Sequence, residues 1–324
     1  LIHPSFNAHS SLTGAQPVAA SPIASRRFRE IPRELSREEI EQIIERFAEA
    51  ARRAQLAGCD GVQLHCAHSH HLLGSFLSAL HNKRTDEYGG DIHGRLKLPL
   101  EVIRRIRSRV GPGFPILLRI SGAEFEPGGR TIEETQYIAP FFLEAGADAL
   151  NVSAGTTNIG SVAPPMGSPP GIYAQYAAEV KKVVNVPVIA VGRIYTPWMA
   201  EEILSTGKAD MVAMGRALLA DPDFPRKAET GNWEAIAPCV GDLHCLMSLY
   251  SDKTIACMVN AAAGKEEKMG LAAAKNRRRI LVVGGGVGGL EAARVLALRG
   301  HQVTLMEKSS KLGGQLLTAS FPPA

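Results

Sequence analysis

Short apolar runs alternate with longer segments of helical periodicity over residues 37–230. Ser36 and Glu39 have the spacing of a capping box, which predicts a helix that runs to Ala57 and ends at Gly58. Each later apolar run is short enough for a buried strand and is followed by an amphipathic segment. The predicted strands are 61–65, 115–120, 149–152, 187–191 and 210–213, and the later predicted helices are 93–109, 131–145, 173–184 and 197–206.

This alternation indicates a parallel sheet whose connections are helical. No glycine-rich phosphate turn opens the first unit, and each strand ends in a polar or glycine-containing loop. Both features favour an α/β fold of the (β/α)8 TIM-barrel type, with its site at the carboxyl ends of the strands. Only five complete strands are predicted, together with residues 1–4, which have the pattern of a strand end. We therefore expect the barrel to lack about two N-terminal βα units.

Polar side chains and glycines gather where the predicted strands end. They are His65, His68, Arg119, Gly192, Arg193, Gly215 and Arg216. Glycine N–H groups after the last two strands of a barrel can hold a phosphate that arginines clamp, and an FMN phosphate fits that arrangement. His65 and His68 could also bind zinc together with His70 and His71, although no nearby carboxylate or cysteine pattern supports a zinc site.

A second pattern begins near residue 276. Its predicted order is a strand at 280–283, a glycine-rich turn, a helix at 290–298 and a strand at 301–306. This is the order of a dinucleotide-binding βαβ unit, in which Gly284, Gly286 and Gly289 permit the tight turn, the approach of a pyrophosphate and close helix packing. A glycine turn that packs the helix without any ligand is the alternative.

Two residues at the end of the second strand bear on which nucleotide would bind. Glu307 lies 23 residues after Gly284 and would accept a hydrogen bond from a ribose hydroxyl. Lys308 and residues 312–315 resemble the continuation of FAD-binding domains of the disulfide-reductase type, which favours FAD over NAD.

Cys239, Cys245 and Cys257 lie between the two regions, with Asp242 inside the run. A thiolate metal site beside a dinucleotide turn suggests electron transfer. Three unrelated buried cysteines are the alternative. We thus predict three parts: a truncated barrel at 1–230, a cysteine-bearing segment and linker at 231–275, which the family resemblance described below implies to be an iron–sulfur segment, and the start of a Rossmann-like FAD/NAD(P)-binding domain at 276–324.

Composition limits the number of domains, the kinds of partner and the cellular location that we expect. The 324 residues are 45% hydrophobic and 21% charged with a net charge of +4, which allows two domains and is too mild to imply nucleic acid. No signal peptide or long apolar stretch suggests export or a membrane, and five cysteines do not form a secreted disulfide pattern, so we expect a cytoplasmic protein. The chain begins with Leu and stops after one βαβ unit, so we expect a fragment; a homo-oligomer is compatible with these features.

Four blocks of sequence resemble the Old Yellow Enzyme flavoproteins, in particular the multidomain branch with 2,4-dienoyl-CoA reductase, 2-enoate reductase and trimethylamine dehydrogenase. The blocks are residues 57–65, 82–90, 191–194 and 214–222. The resemblance implies that Arg119 faces the pyrimidine edge of FMN and stabilises the reduced ring. It also implies that His65 and His68 hydrogen-bond the substrate carbonyl and polarise it for hydride from flavin N5.

The sequence departs from the family pattern in two places. Many ene-reductases carry a proton-donating tyrosine after the second histidine, where this chain has Ser69, His70 and His71; either histidine could be the general acid. The relatives hold a [4Fe–4S] centre with four cysteines, and Asp242 stands where the second belongs. A carboxylate ligand should make one iron more labile, and His244 is a weaker alternative.

The resemblance implies an NAD(P)H-dependent flavin ene-reductase that acts on a C=C bond conjugated to a carbonyl. Electrons would pass from NAD(P)H to FAD, through the cluster to FMN, and then as hydride to the substrate. One alternative is an amine dehydrogenase of the trimethylamine dehydrogenase type, for which an aromatic cage would suit a cationic amine. The other is a flavin-binding remnant without turnover.

Overall fold

The computed structural model describes residues 1–24, 29–156, 159–251 and 253–319. The chain forms two compact units, Leu1–Leu243 and His244–Ala324. The three-part division expected from the sequence stays a prediction. In the described part of the chain, no helix is both long enough and apolar enough to cross a membrane.

The strands of the first unit are β1 (Val18–Ala19), β2 (Arg33–Glu34), β3 (Val62–His65), β4 (Ile116–Ser121), β5 (Ala149–Ser153), β6 (Val188–Val191) and β7 (Met211–Ala213). Strands β3 to β7 form one parallel sheet in the order β3-β4-β5-β6-β7, and β1 forms a separate parallel pair with β2. Its helices are α1 (Ser10–Thr13), α2 (Arg37–Leu56), α3 (Leu72–Leu77), α4 (Ile92–Val110), α5 (Ile132–Glu144), α6 (Ile159–Val162), α7 (Ala174–Lys181), α8 (Pro197–Ser205), α9 (Arg216–Ala220) and α10 (Phe224–Glu229), with 3-10 turns at Ser5–Asn7 and Trp233–Ala235.

The five predicted strands and the long predicted helices are all present, with ends displaced by at most a few residues. The capping box is confirmed, because Ser36 Oγ accepts from the Glu39 N–H at 3.2 Å and the Glu39 carboxylate accepts from the Ser36 N–H at 2.9 Å. Alternate residues of the strands, such as Leu64, Leu118 and Val152, are fully buried in one core with the helices. The other face of the sheet is therefore left to the polar residues of the site.

The strand end predicted at residue 1 pairs with β3 through its backbone. The Leu1 nitrogen donates to the Gln63 carbonyl at 2.5 Å, and the His65 N–H donates to the Leu1 carbonyl at 3.0 Å. Residue 1 thus continues the ladder on the side of β3 opposite β4. That further βα units precede it stays a prediction.

The second unit has the expected strand, helix, strand order around a glycine turn. Strands β8 (Arg279–Val283) and β9 (Gln302–Met306) are parallel, and helix α13 (Val287–Leu298) connects them. The remaining helices are α11 (His244–Tyr250), α12 (Glu266–Met269) and α14 (Gln315–Ala319). Helix α13 has no buried residue, and alternate residues of both strands are exposed, so this unit buries little apolar surface by itself.

Candidate active site

The register of the sheet brings polar side chains from neighbouring strands onto one face. His65 pairs with Arg119, and Arg119 pairs with Asn151 on the next strand. Paired residues of adjacent strands point to the same side of a sheet. His65, Arg119 and Asn151 therefore form a polar row near the carboxyl ends of β3, β4 and β5, as the sequence predicted for the first two.

His68 is the most completely enclosed of the four histidines, at 4% exposure. Its backbone N–H donates to Ser121 Oγ at 3.1 Å and its φ is +58°, a conformation uncommon outside glycine. Its Nδ1 lies 3.3 Å from the Gly155 carbonyl and its Nε2 3.4 Å from Ser153 Oγ. Since a carbonyl only accepts, Nδ1 carries the proton, and the Ser153 hydroxyl donates to Nε2.

The four imidazoles lie close together. The ring centroids of His65 and His71 are 4.2 Å apart, those of His70 and His71 are also 4.2 Å apart, and the ring of His68 stacks parallel to that of His70 at 5.5 Å. Nevertheless, in the described residues no three His, Cys, Asp or Glu side chains are arranged to hold a metal ion. The geometry thus gives no support to a zinc site in this loop.

Burial and positive charge keep these histidines neutral. Burial, the Arg119 guanidinium and His70 lower the pKa of His65 to about 3, and burial with His70 and His65 lowers the pKa of His71 to about 2. Burial also lowers the pKa of His68 well below its usual value. Burial also lowers the pKa of Arg119, because water solvates an enclosed guanidinium poorly.

The residues predicted to hold the FMN phosphate line one cavity of about 190 Å³. The cavity includes Arg119, Gly192, Arg193, Gly215 and Arg216. Gly192 has φ +125°, and a Cβ there would lie 2.5 Å from Cδ2 of Tyr173, so the close approach of the Tyr173 ring requires glycine. The loops after β6 and β7 therefore meet in one place, as the sequence predicted.

The donors in this cavity fit an anion. Arg193 Nε, Arg216 Nη1 and Arg119 Nε are buried and have no hydrogen-bond partner in the described residues. A buried charged donor without a hydrogen-bond partner destabilises a protein by more than about 1–3 kcal/mol. An anionic group bound by these arginines would remove that destabilisation. The FMN phosphate and the electron-rich edge of its ring are groups of that kind.

The residues predicted for the cluster divide between the two units. Cys239 lines the cavity of the arginines, whereas Cys245 and Cys257 belong to the second unit. Asp242 lies at the end of the first unit and is exposed. In the described chain no three ligating side chains are arranged around a metal position, so the iron–sulfur centre stays a prediction.

The glycine turn of the second unit has the geometry that its pattern requires. Gly284 has φ +102°, and a Cβ on Gly289 would lie within 1.8 Å of the Gly284 carbonyl oxygen. Gly286 is the N-cap of α13, so backbone N–H groups face the space before the helix. The Glu307 carboxylate accepts from the Gly285 N–H at 2.6 Å and the Ser309 N–H at 2.9 Å, while Lys308 is exposed.

Sequence reasoning missed several residues that the structure places in the site. Ser153 accepts from Arg119 Nη2 at 3.3 Å and donates to His68, and Tyr173 covers Gly192 in the cavity. Thr156 accepts from His70 through its carbonyl at 2.9 Å. None of the three stands in a motif, and their roles depend on contacts between distant strands; only the position of Ser153 at the end of a predicted strand was a signal.

The fold and the site define a parallel β/α unit with an arginine-lined cavity at the carboxyl ends of its strands, followed by a βαβ unit with a dinucleotide-type glycine turn. The profile of the NADH:flavin oxidoreductase / NADH oxidase family matches residues 6–234, and the profile of NAD(P)-binding Rossmann-like domains matches residues 282–323. The chain belongs to the NADH:flavin oxidoreductase / NADH oxidase family, which confirms the family inferred from the sequence.

Three relatives illustrate the range of the family. A metal reductase from Desulforamulus reducens is 46% identical over 319 residues, which are 98% of this chain and 47% of the relative. The solved 2-naphthoyl-CoA reductase in complex with 2-naphthoyl-CoA superposes with a TM-score of 0.93 at 31% identity, over 98% of this chain and 50% of its own. The solved histamine dehydrogenase from Rhizobium sp. 4-9 superposes with a TM-score of 0.89 at 28% identity, over 100% of this chain and 48% of its own.

The chain spans about half the length of these relatives. The first unit is the FMN-binding barrel domain of the family, and the second unit begins an NAD(P)-binding Rossmann-like domain. FAD in the second unit and the [4Fe–4S] centre stay proposals.

Proposed function

We propose that the protein containing this chain is an NAD(P)H-dependent flavin oxidoreductase that reduces a C=C bond conjugated to a carbonyl, as in an enoate or an enoyl thioester. The observation that carries the proposal is the group of neutral imidazoles, which includes His65, beside the largely enclosed guanidinium of Arg119. Neutral imidazoles can donate to a carbonyl oxygen, and a buried cation stabilises negative charge that develops beside it.

The residues of the chain have separable roles in this proposal. Bound FMN would supply hydride to the β-carbon of the substrate. Arg119 holds positive charge at the flavin edge, and Arg193 and Arg216 hold the phosphate. His65 donates to the substrate carbonyl and so polarises the double bond. In the second unit, the glycine turn and Glu307 would hold FAD, which would supply electrons taken from NAD(P)H.

The solved 2-naphthoyl-CoA reductase supports this choice, because its bound ligand carries a carbonyl conjugated to an unsaturated ring. Amine oxidation is the second candidate. Phe125, Tyr173 and Tyr176 form an aromatic group with centroid separations of 5.4–6.4 Å, and aromatic rings suit a cationic amine. The histamine dehydrogenase relative fits that alternative. A buried guanidinium beside the site disfavours a cationic substrate, so we rank amine oxidation second.

The test uses the full-length protein purified without oxygen, with its FMN, FAD and iron content recorded. NAD(P)H oxidation is then followed with a panel of enoates and enoyl thioesters, and with amines and an artificial electron acceptor. Turnover with an unsaturated carbonyl supports the proposal. Turnover with amines alone favours the second candidate, and a flavin-loaded protein without any turnover indicates a non-catalytic remnant.

A further inference from the structure

Two groups hold the Arg193 guanidinium, and a third packs against it. Nη1 donates to the Pro165 carbonyl at 2.8 Å, and the guanidinium carbon lies 5.2 Å from the centroid of the Tyr195 ring. Nε is buried and has no hydrogen-bond partner in the described residues. The contacts with Pro165 and Tyr195 thus orient the guanidinium and leave Nε free to donate to a group in the cavity.

The third group is the backbone of Gly241, which is buried and has φ +75°. A Cβ at this position would lie 2.7 Å from Arg193 Nη1 and 3.1 Å from the Cα and N atoms of Met166. Non-bonded heavy atoms have their optimal separation at about 3.5–4.0 Å, so a side chain at 241 requires a neighbour to move. The end of an arginine moves more easily than the Met166 backbone. A side chain at 241 would therefore displace the guanidinium.

Gly241 belongs to residues 237–241, which we call the outer wall of the cavity. The N–H of Ala237, its first residue, donates to Asp221 Oδ2 at 2.9 Å. Asp221 is 4% exposed, and the same oxygen accepts from Lys227 Nζ at 2.6 Å. Asp221 directly follows α9, the helix that begins at Arg216. The outer wall is therefore anchored to the helix of one cavity arginine and packs against the guanidinium of the other.

We propose that the outer wall is part of the binding site for the FMN phosphate, with Gly241 as the positioning residue that lets Arg193 reach the phosphate. This inference rests on the assignment of the phosphate to Arg193 and Arg216 in the proposed function. Cys239 and Gly241 line the same cavity as the two arginines. Because riboflavin lacks the phosphate, the outer wall contributes to the selection of FMN over riboflavin.

Phosphate binding and docking of the outer wall should favour each other. A phosphate that accepts from Arg193 Nε holds the guanidinium in the position against which Gly241 packs. Linkage then requires the same phosphate to stabilise the docked outer wall. The outer wall carries Cys239, so bound FMN also holds this thiol at the cavity.

The first experiment measures flavin affinities of the full-length protein after its FMN has been removed. Gly241→Ala is compared with Gly231→Ala, because Gly231 has a similar φ of +70° but a Cβ there meets no atom within 4 Å. We expect Gly241→Ala to weaken FMN binding by about tenfold or more, the effect of a weakened charged hydrogen bond, and riboflavin binding by less than about threefold. Gly231→Ala should change either affinity by less than about threefold.

Arg193→Met identifies the group through which Gly241 acts. This substitution should weaken FMN binding by roughly 10- to 100-fold and leave riboflavin binding nearly unchanged, because the lost hydrogen bond is to the phosphate. In the Arg193→Met background, Gly241→Ala should weaken FMN binding by less than about threefold more, since no guanidinium remains to be displaced. Riboflavin binding and melting temperature establish that each variant is folded.

Hydrogen exchange of the wild-type protein gives a measurement that depends on no substitution. With FMN bound, the amides of the outer wall should exchange at least about tenfold more slowly than with riboflavin bound, because only FMN has a phosphate to fix Arg193. Should Gly241→Ala not fold, these exchange rates decide the question.

Three results would overturn the role of Gly241: an unchanged FMN affinity in Gly241→Ala, an equal loss of riboflavin affinity, or a full further loss in the Arg193→Met background. Equal exchange rates with FMN and riboflavin would overturn the coupling to the outer wall. If Arg193→Met itself leaves FMN affinity unchanged, the phosphate assignment of the proposed function is wrong. If Arg193→Met weakens FMN binding and Gly241→Ala does not, only the present inference is wrong.

Discussion

Gly192→Ala tests how tightly the phosphate cavity is built. Gly192 has φ +125°, which residues with a Cβ rarely adopt, and the new Cβ would lie 2.5 Å from Cδ2 of Tyr173 and 3.0 Å from its Cγ. Carbon atoms normally approach no nearer than about 3.5 Å, so the Tyr173 ring or the loop after β6 must move. The loop that positions Arg193 would then be displaced as well.

The loss of folding free energy expected for Gly192→Ala has two parts, one from the backbone and one from the new methyl group. A non-glycine residue in such backbone costs about 1–3 kcal/mol, and an overpacked methyl group costs about 1–3 kcal/mol more. A loss of about 2–6 kcal/mol should lower the melting temperature of the barrel unit by roughly 5–20 °C. Thermal unfolding of the full-length protein, followed by the fluorescence of released flavin, measures this shift, and gel filtration measures the FMN that each variant retains.

Gly207→Ala is the matched control. Gly207 has φ +71°, but a Cβ there meets no atom within 4 Å, so only the backbone cost of about 1–2 kcal/mol applies. We expect Gly192→Ala to be the more destabilising substitution and to lose FMN, while Gly207→Ala retains it. Equal melting temperatures for the two variants would show that the contact with Tyr173 does not constrain the loop, and the reasoning would be refuted.

Three further predictions concern charge and metal. Arg216→Met should weaken FMN binding by roughly 10- to 100-fold, because a charged hydrogen bond to the phosphate is lost. The control is Arg226→Met, which should leave FMN affinity unchanged because Arg226 is exposed and outside the cavity. FMN titration measures both affinities, and similar values would contradict the assignment of Arg216 to the phosphate. The folded-state pKa values of His65 and His71, about 3 and about 2, lie below the unfolded value of about 6.5. Below about pH 6.5 the unfolded state therefore binds more protons than the folded state. The free energy of unfolding should decrease there by about 1.4 kcal/mol per pH unit for each histidine. Between pH 7.5 and 5.5, the melting temperature should fall less steeply with decreasing pH in His71→Phe than in the wild-type protein. An equal dependence on pH in both proteins would contradict the argument from burial. Asp242→Cys should raise the iron content of the anaerobic protein, and the absence of a cluster in both forms would remove the case for an iron–sulfur centre.

Much of the fold follows from local pattern. The strands β3 to β7 are apolar runs bounded by polar or glycine residues, and the capping box at Ser36 starts α2 where the sequence predicts. Parallel strands with helical connections then force the carboxyl ends to one side, so the convergence of Arg193 and Arg216 on one cavity was predictable.

The details of the site depend on contacts between residues far apart in the chain. His68 and Ser153 are 85 positions apart, and His70 and Thr156 are 86 apart, and no local periodicity predicts which ring nitrogen finds which oxygen. The choice between His70 and His71 depends on such contacts, so the sequence alone left both candidates. The cluster residues gave a clear spacing signal, but a spacing does not place Cys245 and Cys257 around a metal position.

The most direct test of the proposed function uses one half of the reaction in isolation. The full-length protein is reduced without oxygen, mixed rapidly with an enoate or enoyl thioester, and its flavin absorbance is followed while the product is identified by mass spectrometry. The account predicts that the reduced flavin is reoxidised and that one substrate molecule gains two hydrogens across its double bond for each FMN. A flavin that stays reduced with every unsaturated carbonyl, while the oxidised protein is reduced by an amine, would contradict it.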